Sequence, residues 1–366
     1  ADDLRGMQRR ASTIRALSPW LTGAVVCGFL IWLAAWWRAP ARHSVRVLGL
    51  AVAALPAATV ALNRVPWERV DAPTAAACLG IAAIAALLAG LGYAVGRRGP
   101  LAAGAVIWAA TAGLLAADVL TGSRLSIASA FGYNPIVGGR FYGLGNATFA
   151  AFAAAALGVM AWCATRLRRP LGLLAPAAVL MAALVIDAMP GWGADFGGPP
   201  ALLAGGVVLL AGLAGIRLNW RRLALVGVIG GAALAAVAYL DWRRGPGART
   251  HLGAFLQQIL DGSAGSVIGR KLAQNLANLT DPRLLLLTCA AAAALWLLNR
   301  RCGHPPVRIL ARAGVVLGAI GFAINDSGLV IPAFTALVLL PALAAHDESR
   351  TPSSMDMCSI TMMVWS

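Results

Sequence analysis

With 366 residues, 60% of them hydrophobic and only 12% charged, and a mean hydropathy of +0.76, the chain cannot be a soluble globular protein, in which roughly a quarter of the residues are charged. A net charge of +16 would point to nucleic acid in a soluble protein. Here the arginines sit in short clusters between apolar runs of spanning length, the positive-inside pattern, so nucleic acid is excluded as a partner and the lipid bilayer takes its place.

The expected fold is all-α, a polytopic transmembrane helical bundle of about eleven spans. Residues 1–19 form a juxtamembrane segment with Arg5, Arg9, Arg10 and Arg15. The transmembrane domain, residues 20–345, holds apolar runs at 20–37, 45–62, 74–95, 101–118, 144–162, 171–189, 199–216, 223–240, 284–298, 309–324 and 329–345. The first is followed by Ala39-Pro40-Ala41 but is long for a signal-peptide core, and is read as a span. The connection 241–283 is too polar to span and reads as a short extracytoplasmic helical hairpin. Leu252, Phe255, Leu256, Ile259 and Leu260 make one helical stripe, and after Gly262-Ser263-Ala264-Gly265 a second follows at Ile268, Leu272, Leu276 and Leu279, giving helices at about 250–260 and 265–279. Such helices lie in the membrane interface or on the bundle. Residues 346–366, rich in Ser, Met, Thr and Asp, form a disordered or aberrant tail.

Fifteen arginines lie in or close beside loops one, three, five, seven and nine, from Arg38 to Arg312, against Arg64, Arg69, Arg124 and Arg140 for loops two, four, six and ten. The odd loops are therefore expected in the cytoplasm and the N-terminus outside. Among the 30 basic residues only Lys271 is a lysine, which, with abundant alanine, fits a high-GC bacterial genome and a bacterial plasma membrane. The six cysteines, Cys27, Cys78, Cys163, Cys289, Cys302 and Cys358, lack CxxC or zinc-ligand spacing and read as small buried hydrophobes.

Four glycine-rich polar segments adjoin the spans: Gly132–Asn146, Pro190–Pro200, the stretch around Arg249 and His251, and Ile324–Gly328. They belong to loops four, six, eight and ten, hence to one face, the outer one in the orientation above. Asn146, Asp195 and Asp326 each precede a long apolar helix and read as N-caps. Three converging helix N-termini would also attract an anion, with Arg124, Arg140, Arg249 and His251 on the same face. Asp118, Asp187, Asp195 and Asp326, costly near a membrane, must be paired, hydrated or functional. The substrate-binding candidates are thus Arg140, Asn146, Asp195, Arg249, His251, Asn325 and Asp326. No metal is assigned, a divalent ion between Asp195 and Asp326 being the weaker alternative. Gly191-Trp192-Gly193 lacks the βαβ context of a dinucleotide loop, and there is no P-loop, HExxH or Ser-His-Asp set, so no cofactor and no catalytic residue is assigned.

In GYNPIVGGRFYGLGN (132–146), GADFGG (193–198) and INDSG (324–328) the chain resembles an uncharacterised family of actinobacterial polytopic membrane proteins, the resemblance covering residues 1 to 345. Some members carry an upstream alkaline-phosphatase-like extracytoplasmic domain, absent here. Such a domain would accord with an external N-terminus and with a chain that starts at Ala1 without Met. The resemblance implies no catalytic residues. The functional expectation is an outward-facing site for an anionic cell-envelope precursor, such as a lipid-linked phosphate, with a transporter or flippase and a membrane scaffold for an extracytoplasmic domain as alternatives.

Overall fold

The computed structural model describes residues 2–345 apart from 97, 100, 137–140, 196, 246, 250, 264, 266–268, 270–272, 274, 277–278 and 326. Among the described residues there are twelve α-helices and no strand: α1 (Asp2–Arg38), α2 (His43–Ala61), α3 (Pro73–Gly96), α4 (Ala102–Leu120), α5 (Asn146–Arg166), α6 (Leu171–Ala188), α7 (Gly198–Leu213), α8 (Trp220–Trp242), α9 (His251–Leu260), α10 (Pro282–Arg301), α11 (Pro305–Ile324) and α12 (Val330–Ala344). Nine are long and apolar enough to cross a membrane, and α7 and α12 are shorter apolar helices. The chain is a polytopic integral membrane protein in which each of the eleven apolar runs has become a helix. In hydrocarbon no water pairs with the backbone, so an apolar run must close its hydrogen bonds internally.

Helix α5 is the centre of the bundle, with 72% of its apolar window buried, and it packs on α4, α6, α7, α11 and α12. Helix α12 is buried along almost its whole length. At the other extreme α8 has only 6% of its window buried and touches the bundle chiefly through α7 and α9. Its exposed Leu225, Val228 and Ile229 face what the composition requires to be lipid. Among the described cysteines Cys27, Cys78 and Cys289 are likewise exposed, Cys163 is half-buried and Cys302 alone is buried. This corrects the expectation of buried cysteines: on a lipid-facing surface a small apolar side chain needs no burial.

Hydrogen bonds between loops sort them into two faces. Asn63 of loop two donates to the carbonyls of Leu125 and Ile127 in loop four. The Leu144 N–H of loop four donates to the Gly193 carbonyl of loop six, and Asn275 of loop eight donates to the Asn325 carbonyl of loop ten. On the opposite face Arg301 donates to the carbonyls of Trp36 and Trp37, joining loops nine and one. Among the described residues the bonds of the first face join loops two, four and six, and loops eight and ten, and the close approach of Gly197 to Asn325 joins the two groups into one polar layer.

Residues 2–19, read from sequence only as a juxtamembrane segment, continue α1 without a break. The extension is held by tertiary bonds: Arg10 pairs with the buried Glu68 at 2.9 Å, and Asn134 donates to the Ala11 carbonyl at 3.0 Å. Helix α9 matches the first half of the expected hairpin, and its Leu256 is half-buried. Most of the second half, 265–279 with Leu272, lies outside the described residues.

Orientation has a direct test. Arg124 and Gly191, exposed on the polar layer, are expected as cysteines in a chain stripped of native cysteines to react with an impermeant thiol reagent on intact cells, while Arg168→Cys and Arg221→Cys stay shielded. Labelling in the opposite sense would put the polar layer in the cytoplasm. Ser123 and Gly193, on the same layer, are buried and would report nothing.

Candidate functional site

The polar layer is built around α4's last turn. A carboxylate at a helix C-terminus faces the negative end of the helix dipole, yet Asp118 is 1% exposed there. It is stabilised by loop four folding back onto it. Its Oδ1 accepts from the Leu125 N–H at 2.7 Å, and its Oδ2 accepts from the Ser126 N–H at 2.8 Å and the Ser126 hydroxyl at 2.6 Å. Asp118 is a structural hub.

From this hub the loop runs under loop six. The Ser123 hydroxyl accepts from the Gly143 N–H at 2.9 Å. Gly143, at φ +85°, lies so close to the Gly193 carbonyl that a side chain would collide with it. Ser123, Ala128 and Ala194 hold positive φ without being glycine, at a cost of about 1–3 kcal/mol each. Their backbones are fixed by bonds to Asp118, Tyr133 and Met189 respectively. Strain of this kind persists only where the surroundings over-determine it.

At the centre three helix starts meet. A Cβ on Gly198, the first residue of α7, would stand 2.6 Å from Oδ2 of Asp187, from Oδ2 of Asp195 and from the Phe149 ring in α5's first turn. Only glycine fits, and the two carboxylate oxygens lie no farther apart than twice that distance. A Cβ on the preceding Gly197 would strike the Asn325 amide, which leads into α12. Asp187, Asp195 and Asn325 are 0%, 7% and 4% exposed. Asn275 clamps the third segment, donating to the Phe322 and Asn325 carbonyls and accepting from the Gly328 N–H. Among the described residues the Asn325 Nδ2 and the Ser327 hydroxyl are buried without a hydrogen-bond partner. Both can donate to a ligand. An apolar cavity of about 370 Å³ opens between α10, α11 and α12, and Phe322 and Leu329, on either side of Asn325 and Ser327 in sequence, line it.

Of the sequence-predicted candidates, Asp195 and Asn325 are brought together. Arg140 and Asp326 lie outside the described residues. Asn146 is the first residue of α5, behind an N-cap at Gly145, and α7 is likewise preceded by an N-cap at Gly197. The expectation that Asn146 and Asp195 act as N-caps is therefore corrected. Asp195 instead accepts from the Gly197 N–H at 3.2 Å, closing the turn before the helix. Arg249 serves the α8–α9 corner, donating to the Trp242 carbonyl and to Gln257 with its guanidinium over the Trp242 ring. His251 begins α9. Three polar residues of the centre, Asp187, Asn275 and Ser327, were not among the candidates, although Ser327 lay in the flagged segment Ile324–Gly328. Asp187 carried a signal, a carboxylate at the end of an apolar span; Asn275 carried none.

A second recess, of about 240 Å³, lies between α1, loop four and the start of α10. Asp281 caps α10 by accepting from the Arg283 N–H. It also takes Nε and Nη2 of Arg283, each at 3.3 Å. Desolvation raises the Asp281 carboxyl, but the hydrogen bonds and charge of Arg283 outweigh it and hold the group below its ordinary value. Its contribution is thus present above the ordinary carboxylate range and lost as pH falls through the lowered value.

Comparison with protein-family models, curated proteins and solved structures finds no match to this chain.

Proposed function

We propose that this protein handles an anionic, lipid-linked phosphate precursor of the cell envelope, with the polar layer facing the outside of a bacterial plasma membrane. The observation that carries this reading is a buried polar centre whose Asn325 and Ser327 lie in sequence between two residues, Phe322 and Leu329, that line an apolar cavity. Asn325, against the Gly197–Gly198 turn that also meets Asp187 and Asp195, and Ser327 offer free donors, while the cavity lined by Phe322 and Leu329 suits the hydrocarbon chain of the same molecule. A buried carboxylate pair near a membrane is expensive and is retained where it is used, here to accept a proton or orient a polar head.

A transport or flipping reading draws on one further feature. The two short apolar helices, α7 and α12, both start at this centre, where Gly197 meets Asn325. Short helices at matching positions are how carriers frame a substrate site. An upstream extracytoplasmic domain of the kind implied by the family resemblance would sit over the same face.

Deleting the gene in its host and profiling envelope lipids is expected to show a lipid-linked phosphate accumulating. Asp195→Asn and the cavity-filling Ala319→Phe should each reproduce the accumulation at near-normal levels of folded protein. An unchanged lipid profile would leave the scaffold reading and reject this one. Vesicles with the purified protein separate the other two: flipping exposes a labelled analogue across the bilayer unaltered, whereas an enzyme alters it chemically.

A further inference from the structure

We infer that the recess between α1, loop four and α10 binds the phosphate headgroup of a membrane lipid from the leaflet on the polar-layer side. This site is separate from the Asp187–Asp195 centre and does not rest on the function proposed above. Its chemistry is that of a phosphate cradle. Arg15 and Arg283 line it together with Ser18, whose hydroxyl can donate to a phosphate oxygen, whereas the Thr22 and Ser129 hydroxyls in its wall donate to the Ser18 and Ser126 carbonyls. Guanidinium groups match phosphate oxygens with parallel N–H donors, and the Ser18 hydroxyl adds one more.

Arg283 is aimed rather than consumed. Asp281 fixes its Nε and Nη2, and Nη1 reaches only the Pro19 carbonyl at a long 3.4 Å across 264 residues of chain. Its side chain keeps 45% of its exposure, so the charge is accessible to a ligand. Arg15 is exposed one turn before Pro19. The depth is also set. Ser18 and Thr22 straddle the point where α1 passes from its polar extension into the apolar run, and Trp20, 79% exposed, marks that level. Exposed tryptophan at the end of a span belongs at the headgroup region. A soluble anion would not need a recess at this level, whereas a lipid phosphate lies there already.

The test uses the full chain in nanodiscs of phosphatidylcholine containing a minor fraction of phosphatidic acid, with retained lipid counted by native mass spectrometry. Wild type is expected to retain phosphatidic acid. Arg15→Gln and Arg283→Gln should each reduce retention about fivefold, the scale of one arginine near an anionic surface, and the double variant should remove it. Arg283→Lys, which keeps the charge, should lose less than Arg283→Gln. Arg124→Gln, an exposed charge in loop four outside the recess, should change nothing. An equal loss in Arg124→Gln would mean diffuse surface charge and overturn the site, as would undiminished retention in the double variant. Inorganic phosphate is the second probe. If it displaces the lipid at micromolar concentration, the recess takes a free anion and the lipid assignment fails.

Discussion

Asp118→Ala is expected to cost about 3–5 kcal/mol and to dismantle loop four, the largest effect of any single change in the polar layer. The mutation strands three donors, the N–H groups of Leu125 and Ser126 and the Ser126 hydroxyl, and each buried unsatisfied donor costs about 1–3 kcal/mol. The main-chain carbonyl of residue 118, which accepts from the Ser123 N–H at 2.7 Å, survives the substitution, so the loss reaches Ser123, Gly143 and the crossing over Gly193 only through the release of the neighbouring Leu125 and Ser126. Asp118→Asn keeps the shape and one acceptor oxygen and should lose about half as much. Denaturant unfolding of the purified protein, followed by circular dichroism and by protease cleavage within 121–145, measures both. An Asp118→Ala protein with wild-type stability and an uncut loop would show that the loop does not depend on this carboxylate.

Trp108→Ala should cost about 3–5 kcal/mol, and Gly158→Ala about 1–3 kcal/mol by overpacking, but the two together should cost less than their sum by at least about 1 kcal/mol. Trp108 is fully buried and ties α4 to α12 through its indole N–H, which donates to the Val338 carbonyl at 3.1 Å. A Cβ on Gly158 would collide with that indole. Glycine at 158 is therefore the space in which the ring lies, and removing the ring makes room for the methyl group. The contact holds α4, α5 and α12 together, and in a membrane helix association rests largely on such close packing. Strict additivity in denaturant unfolding of the four proteins would mean that the ring and the glycine do not share this space.

The spans were legible because a bilayer leaves the chain little choice. The run at 45–62 became His43–Ala61 and the run at 74–95 became Pro73–Gly96. Helix α1's extension was not legible as a helix, since residues 2–19 owe their place to Glu68 and Asn134 far along the chain. Loop polarity marked out the segments of the candidate site, and Asp195 and Asn325 were named from it. That polarity could not tell which of them meet, nor that Arg249 would be taken up by Trp242 and Gln257.

By itself the sequence determined that this is an all-helical, multi-spanning membrane protein whose polar segments alternate with its apolar runs, because hydrophobicity and the need to satisfy every backbone group in lipid act locally. Only the tertiary structure decided that Asp187 and Asp195 converge on Gly198, that Asn275 clamps Asn325, and that Arg15 and Arg283 share a recess across most of the chain's length. Those pairings depend on which helices pack together. Packing in lipid is set by the shapes of side chains such as Trp108 and Gly158 rather than by hydrophobicity, which is the same on every lipid-facing side.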